Sequence, residues 1–223
     1  MPEAATPPPL LTLTSVRIDA GGATLVEEFD FRLAAGQAAA FVGPPGCGKA
    51  LLLRVAAGLE RPAAGERQAA PCRSAFVFQR GGLISNVTVE ENLLLPLYYQ
   101  RLKHAAARDR ASAALEDFGL SAVARHLPGR LLDETRLTVQ FARAAALDVD
   151  LLFLDDPFPH FSRHTAARVE QWLQSGVGAG RLAVLMTGAE RDAVPNLPTR
   201  CLEIGRPGRF GPRDETSAAV APP

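Results

Sequence analysis

The residues with the clearest chemical potential form a glycine-rich loop near the start of the chain. The loop consists of Gly43, Pro44, Pro45, Gly46, Cys47, Gly48, Lys49 and Ala50. Apolar runs precede it at 38–42 and follow it at 51–57, so the pattern predicts a strand, a loop and a helix in that order. The glycines let successive backbone N–H groups turn inward, and the positive end of the helix adds to their attraction for phosphate oxygens. The loop therefore indicates a phosphate-binding site, in which Lys49 reaches the terminal phosphates.

Two residues of this loop, Ala50 and Cys47, are unusual at their positions or chemically reactive. Ala50 follows the lysine, where a phosphate-binding loop ordinarily has Ser or Thr to ligate Mg²⁺ through its hydroxyl. We interpret Cys47 as a small filler residue in preference to a redox-active thiol. The simple alternative, a glycine turn that only joins a strand to a helix, agrees less well with the strand and helix signals on both sides.

A second stretch ends in two carboxylates. Four apolar residues at 151–154 lead into Asp155, Asp156 and Pro157. This pattern predicts a buried parallel strand whose carboxyl end faces a ligand crevice. A third predicted strand end carries Gln79, which closes the run Phe76–Gln79.

The charge balance narrows the function classes. Lys and Arg together number 24, as do Asp and Glu, so the net charge gives no reason to expect a nucleic-acid partner. The first residues lack the basic-then-apolar pattern of a signal peptide. No apolar run approaches the roughly 18 to 20 residues that span a bilayer. We therefore expect a cytoplasmic protein that reaches a membrane only through a partner.

Alternating strands and helices must position these residues. The pattern predicts antiparallel strands at 10–18 and 24–33, a disordered segment at 1–9 and a flexible tail at 206–223. Beyond the loop it predicts helices at 89–103, bent at Pro96, at 107–118, at 134–147 and after Ser162. It predicts further strands at 182–187 and 200–204. These elements give an α/β fold with a P-loop NTPase (RecA-like) core, a mixed sheet, an antiparallel β subdomain and a helical subdomain at about 80–147.

The order and spacing of these pieces resemble the nucleotide-binding cassette of ABC transporters over residues 10–205. The segment 78–92 looks most like cassettes of the Mla phospholipid-transport type. The resemblance implies ATP and Mg²⁺ as cofactors, with Asp155 and Gln79 at the metal and Asp156 in the place of a catalytic glutamate. It also implies two partners, an integral-membrane permease and a second cassette in a homo- or heterodimer, and a location at the inner face of the plasma membrane.

The chain departs from the family pattern at several positions. Leu131–Thr135 stands in the place of the signature motif, and 160–162 in the place of the loop that crosses the dimer interface. Gly188 stands where a histidine is expected, and Ala20 where an aromatic residue usually stacks on adenine. We interpret Asp133 and Glu134 as acidic caps of the helix that begins there.

These departures leave two hypotheses open. In the first, the chain is an ATP-hydrolysing subunit that drives a permease. In the second, it is a non-hydrolytic cassette with a structural or regulatory role. In either case the resemblance implies that Gln79 and the apolar residues after it receive the permease, and the candidates for that contact are Leu83, Ile84, Leu93, Leu94 and Leu95. The alternative, which is stronger for some of these leucines, is that they only fill the core of the helical subdomain.

Overall fold

The structure, a computed structural model, describes residues 8–190, 197 and 199–204. Residues 1–7 of the predicted disordered segment and the whole predicted tail at 206–223 lie outside the described residues. Pro9 already belongs to the first strand, so the predicted boundary at residue 9 falls inside that strand.

Three antiparallel strands form a sheet at the start of the fold. They are β1 (Pro9–Ala20), β2 (Ala23–Ala34) and β4 (Ala64–Ala69), in the order β2-β1-β4. The pattern correctly predicts the first two, because apolar side chains such as Leu11 and Leu13 alternate toward the core. Sequence analysis missed β4, whose residues are mostly exposed and therefore carry no apolar alternation.

Five parallel strands form the central sheet. They are β3 (Ala38–Val42), β5 (Ser74–Val77), β6 (Leu151–Asp155), β7 (Ala183–Gly188) and β8 (Thr199–Glu203), in the order β5-β6-β7-β3-β8. Because all five run the same way, their carboxyl ends meet at one edge of the sheet. The predicted α/β class with a P-loop core and an antiparallel subdomain is confirmed. The predicted mixed sheet is wrong, because the described parallel and antiparallel pairings lie in two separate sheets.

Five α-helices accompany the sheets in the described part of the chain. They are α1 (Lys49–Ala57), α2 (Val89–Tyr99), α3 (His104–Asp117), α4 (Asp133–Leu147) and α5 (Arg163–Gly178). The predicted single helix at 89–103 is wrong at its end, because Arg101 takes a left-handed backbone conformation with φ of 62° and closes the helix before α3. Pro96 lies within α2. Ser162 caps α5 as predicted, by accepting a hydrogen bond from the Thr165 N–H.

Two apolar clusters cover the two faces of the parallel sheet. Alternate residues of β3 point to opposite sides: Phe41 joins the cluster of α1 and the antiparallel sheet, and Ala40 joins that of α2 to α5. Trp172 packs at the edge of the second cluster, with its ring centroid 5.7 Å from that of Phe118. The sheet is thus held rigidly between the two layers, and this fixes its carboxyl edge. No described helix is long and apolar enough to cross a bilayer.

Candidate phosphate-binding site

The glycine-rich loop connects β3 to α1 at the carboxyl edge of the parallel sheet. The Gly43 N–H donates to the carbonyl oxygen of Gly188 at the end of β7, over 3.3 Å. A Cβ atom at residue 43 would lie 2.3 Å from the Ile204 carbonyl oxygen, so only glycine fits there. A Cβ atom at Gly46, where φ is 80°, would meet no other atom within 4 Å. The loop is therefore packed against the sheet at its start and open at its centre.

The start of α1 leaves backbone donors available beside this open centre. The first hydrogen bond of the helix joins the Leu52 N–H to the Gly48 carbonyl oxygen, over 2.9 Å. The N–H groups of residues 49–51 consequently have no acceptor within the helix. The first turn of α1 also contains no acidic side chain. Both features favour an anion at this end of the helix.

Lys49 is the cation of the loop. Its ammonium group donates to the carbonyl oxygens of Gly43, over 2.9 Å, and Pro44, over 3.2 Å. The half-buried side chain thus curls back over the loop, so its charge lies beside the free backbone donors. A triphosphate would exchange these two neutral carbonyl partners for charged oxygens, which accept stronger hydrogen bonds.

The two aspartates at the end of β6 have different surroundings. Asp155 Oδ1 accepts a hydrogen bond from the buried hydroxyl of Thr187 on β7, over 3.1 Å. Asp156 follows the strand with φ of 45°, a conformation that is uncommon for a residue with a side chain. Burial raises the pKa of the Asp156 carboxyl above its ordinary value, and the charge of Asp155 acts in the same direction, whereas Lys49 and His160 oppose it. The charges of Lys49 and Asp155 therefore both act on the Asp156 carboxyl.

Gln79 lies two residues beyond the end of β5, and not within the strand as the sequence predicted. The pattern Phe76–Gln79 overestimates the strand, because the chain leaves the β6 ladder after Val77. The Gln79 amide nitrogen contacts the ring nitrogen Nε2 of His160, over 3.1 Å. Gln79, just after β5, and Asp155, at the end of β6, therefore lie at the same edge of the sheet.

Gln140 on α4 fixes the chain just before Gln79. Its amide oxygen accepts the Phe78 N–H over 3.0 Å, and its amide nitrogen donates to the Phe78 carbonyl oxygen over 3.1 Å. A Cβ atom at Gly82 would lie 2.2 Å from the Gln140 amide oxygen, so the chain passes close to this side chain twice. Sequence analysis missed Gln140, although a polar residue between Val139 and Phe141 is a signal that could have indicated it.

Two further polar side chains hold the rest of the 78–84 loop. Arg143 on α4 donates to the Gly82 carbonyl oxygen over 2.7 Å. Asn92 on α2 is 2% exposed, accepts the Ile84 N–H over 2.8 Å and donates to the Ile84 carbonyl oxygen over 3.0 Å. The loop is therefore attached to the helical layer at both ends and in its middle.

The segment in the place of the signature motif makes contacts within its own chain. Leu132 is the N-cap of α4 and makes no side-chain capping bond, so Asp133 and Glu134 do not cap the helix by a hydrogen bond, but they lie at its positive end as predicted. Both residues lie in the first turn, but Asp133 pairs with Arg136. Glu134 accepts hydrogen bonds from the Ser162 hydroxyl over 2.6 Å and from its N–H over 3.0 Å, and these bonds lower the pKa of Glu134. Glu134 thus joins the starts of α4 and α5.

The remaining predicted positions add little chemistry. Cys47 is buried, which agrees with a filler role and argues against a redox-active thiol. Ala50 and Gly188 supply no side-chain oxygen or imidazole. Ala20 ends β1 beside the turn at Gly21. These positions leave the backbone donors and Lys49 as the candidate groups for binding phosphate.

The residues present fit a magnesium ion only together with phosphate oxygens. No cluster of three His, Cys, Asp or Glu side chains in the described part of the chain could hold a metal by itself. Asp155 keeps one carboxylate oxygen that the Thr187 hydroxyl does not use, and Gln79 offers an amide oxygen. Mg²⁺ in such sites takes one or two protein ligands and completes its octahedron with phosphates and water. Asp155 and Gln79 would hold the ion, and it would supply positive charge to the phosphates.

An apolar surface lies beyond the far end of the 78–84 loop. Ile84 is 48% exposed, and Leu95 and Tyr99, one turn apart on α2, are 43% and 90% exposed. Leu93 and Leu94 are buried in the helical layer, which confirms for these two the alternative that they only fill the core of the helical subdomain. The exposed residues that remain for a partner are Ile84, Leu95 and Tyr99, with Leu83 half-buried beside them.

Comparison with known proteins agrees with this geometry. The model of the family described as "ABC transporter" matches residues 26–159. The aliphatic sulfonates import ATP-binding protein SsuB 1 of Nocardia farcinica is 32% identical over 206 residues, which cover 92% of this chain and 82% of that protein. The lipoprotein-releasing system ATP-binding protein LolD of Hyphomonas neptunium is 32% identical over 166 residues, which cover 67% of this chain and 73% of that protein.

A solved structure shows the same fold. The dimeric ATP-binding cassette MJ0796, bound to ADP and phosphate, superposes with a TM-score of 0.79 at 21% sequence identity, and the match covers 89% of this chain and 97% of that one. The predicted resemblance to ABC cassettes is therefore confirmed. The family match spans the glycine-rich loop, the 78–84 loop and the two aspartates, and the chain belongs to the ABC transporter family.

Proposed function

We propose that this chain binds ATP at the Gly43–Ala50 loop and transmits the state of that site to a membrane permease. One observation carries the proposal. The 78–84 loop runs from Gln79, at the edge of the sheet beside Asp155, to the exposed Ile84, and Gln140 and Asn92 attach both of its ends to the helical layer. A rearrangement at Gln79 would therefore reach the apolar surface through a short, hydrogen-bonded segment.

The identity of the transported compound is a separate part of the proposal. The Mla-like residues at 78–92 motivate the hypothesis of lipid transport. The names of the relatives point in other directions, to aliphatic sulfonates for SsuB 1 and to lipoproteins for LolD. We propose import of a small anionic solute such as a sulfonate as the first substrate class to test, because the sulfonate-import relative matches 92% of the chain and the lipoprotein-releasing relative 67%.

The proposal implies two partners. A permease would cover Ile84, Leu95 and Tyr99, because Asn92 binds Ile84 to the helix that carries the other two, and neighbouring exposed apolar residues mark interaction sites. A second cassette would face the glycine-rich loop, as in the dimeric neighbour bound to ADP and phosphate. The chain would then lie at the cytoplasmic face of the membrane, held there by the permease.

We predict that Ile84→Asp breaks the complex with the permease without unfolding the domain. The new carboxylate would have to lose its water when the apolar surface is covered, which costs several kcal/mol (about 3 kcal/mol or more). The measurement is co-purification of the membrane permease with the tagged full chain from detergent-solubilised membranes.

The matched control for this test is Leu59→Asp. Leu59 is 53% exposed but lies after α1, away from the 78–84 loop. The control should keep the permease, and both variants should melt at the temperature of the wild type. The proposal would be contradicted if the wild type and the Ile84→Asp variant were both found only in the soluble fraction of cells.

A second candidate function, binding without efficient hydrolysis, has its own support. Ala50 lacks the hydroxyl ligand, Gly188 lacks an imidazole and Asp156 is one methylene shorter than glutamate. A misplacement of that size can cost about 10²-fold in the rate when a water molecule must be aligned. Glu134, in the signature position, is engaged by Ser162.

We therefore predict that the unmodified chain hydrolyses ATP slowly. A comparison variant carries Ala50→Ser, Asp156→Glu, Gly188→His and a restored signature segment. The steady-state rate of the unmodified chain should be about 100-fold or more below the rate of this variant. The triple substitution alone should rescue little, because the acidic signature segment is unchanged. Phosphate release at saturating ATP measures both rates. Rapid Mg²⁺-dependent hydrolysis by the unmodified chain would show that these departures matter less than their chemistry suggests.

A further inference from the structure

A contact between Gln79 and His160 joins the ends of two strands. The Gln79 amide nitrogen lies 3.1 Å from His160 Nε2, although the residues are 81 positions apart in the sequence. An amide nitrogen can only donate, so the imidazole nitrogen is the acceptor. The bond links the chain after β5 to the chain after β6, which are neighbours in the parallel sheet.

The backbone is held on both sides of this contact. Gln79 follows Phe78, whose N–H and carbonyl oxygen are both bound by Gln140. His160 lies in a short 3₁₀ turn, where its N–H donates to the Pro157 carbonyl oxygen over 3.2 Å. The next residue, Phe161, packs its ring against Phe141 in the helical layer. The two side chains therefore meet because two fixed segments bring them together.

The bond determines which atom of the Gln79 amide can bind a cation. Because the amide nitrogen is hydrogen-bonded to His160, the amide oxygen is the atom that remains available to a cation. A glutamine without this partner can rotate its amide by half a turn and present the nitrogen, which cannot ligate a metal. The geometry points to His160 as the positioning residue that turns the Gln79 amide oxygen toward the metal of a bound Mg–ATP complex. This inference rests on the proposed function, since it requires nucleotide at the glycine-rich loop.

Asp155, the other candidate metal ligand, is also oriented by a hydrogen bond. Asp155 Oδ1 accepts the Thr187 hydroxyl, so its second oxygen is the one available to a cation. Outer hydrogen bonds of this kind commonly orient metal ligands, and their removal weakens metal binding. Asp155 and Gln79 thus each carry one such bond, from β7 in the first case and from the 158–160 turn in the second.

The test compares ATP binding with and without Mg²⁺. Calorimetry on the full chain, with ATP in Mg²⁺ and with ATP in EDTA, gives the factor by which Mg²⁺ strengthens binding. His160→Ala should reduce that factor about threefold to tenfold, the worth of one hydrogen bond, and should leave the affinity in EDTA unchanged. His160→Gln carries an acceptor oxygen at similar reach and should restore the factor. His160→Phe keeps a ring without an acceptor and should behave like the alanine variant.

Two comparisons separate positioning from a structural effect. His164→Ala, on α5, is the matched control and should keep the wild-type factor. Gln79→Ala should lower the factor by itself, and His160→Ala should then add nothing, because the two residues act through one bond.

Three results would overturn the inference: no change in the factor with His160→Ala, an equal loss with and without Mg²⁺, or a wild type whose ATP affinity does not depend on Mg²⁺. A wild type that binds no ATP would instead overturn the proposed function, and the inference with it.

Discussion

Lys49→Ala should abolish measurable ATP binding. The ammonium group lies over the glycine-rich loop and now bonds two carbonyl oxygens of that loop, so it is free to turn to phosphate oxygens without a large rearrangement. Charge-assisted hydrogen bonds are worth about 1.5 to 3 kcal/mol each, and the loss of two corresponds to roughly 100-fold or more in affinity. Calorimetric titration of the full chain with ATP up to millimolar concentration measures the effect.

The chain provides a matched control for this substitution. Lys103, exposed at the N-cap of α3, is the second of only two lysines in the sequence. Lys103→Ala removes the same charge far from the loop and should bind ATP like the wild type. Equal affinities of the wild type and Lys49→Ala would mean that the loop is only a connection between β3 and α1.

Gln140→Ala should destabilise the domain more than the other single substitutions, because Gln140 is buried. It leaves the N–H and the carbonyl oxygen of Phe78 without their partner inside the fold, and each such loss costs about 1 to 3 kcal/mol. A total of about 3 kcal/mol corresponds to a melting temperature lower by roughly 6 to 12 °C for a domain of this size. Thermal unfolding followed by circular dichroism measures the shift.

Gln171→Ala is the control, because Gln171 is an exposed glutamine within helix α5. It should melt within about 2 °C of the wild type. The Gln140 variant should also bind ATP with a smaller Mg²⁺ factor, since Gln79 follows Phe78. A melting temperature equal to that of the wild type would show that water replaces the Gln140 amide at no cost.

The local signals in the sequence were sufficient for most of the fold. Apolar runs at 38–42 and 151–154 predict buried parallel strands, and both are observed as β3 and β6. Elements without such signals were missed. Strand β4 is polar and exposed, and it forms only because β1 offers it a partner. The end of α2 depends on the left-handed backbone conformation of Arg101, and an arginine gives no sequence signal for that conformation.

The candidate site likewise contains some residues that the sequence identifies and others that it does not. The glycine-rich loop and its flanking apolar runs identify Lys49, and the resemblance to ABC cassettes identifies Asp155 and Gln79 as candidate metal ligands. The contacts made by Gln140, Glu134 and His160 join segments far apart in the chain, and only packing brings their partners within reach. Sequence analysis placed Glu134 at the start of its helix but could not show that its carboxylate is used by Ser162.

The bond between Gln140 and Phe78 also bears on how this protein avoids aggregation. Strand β5 is an outer strand of the parallel sheet and pairs only with β6 among the described strands. An outer strand with free N–H and carbonyl groups is a template on which another chain can add a strand. The Gln140 amide presents one donor and one acceptor to Phe78, directly past the end of β5, as the backbone of a neighbouring strand would. The backbone groups of the residue that follows the outer strand are therefore not available to another chain.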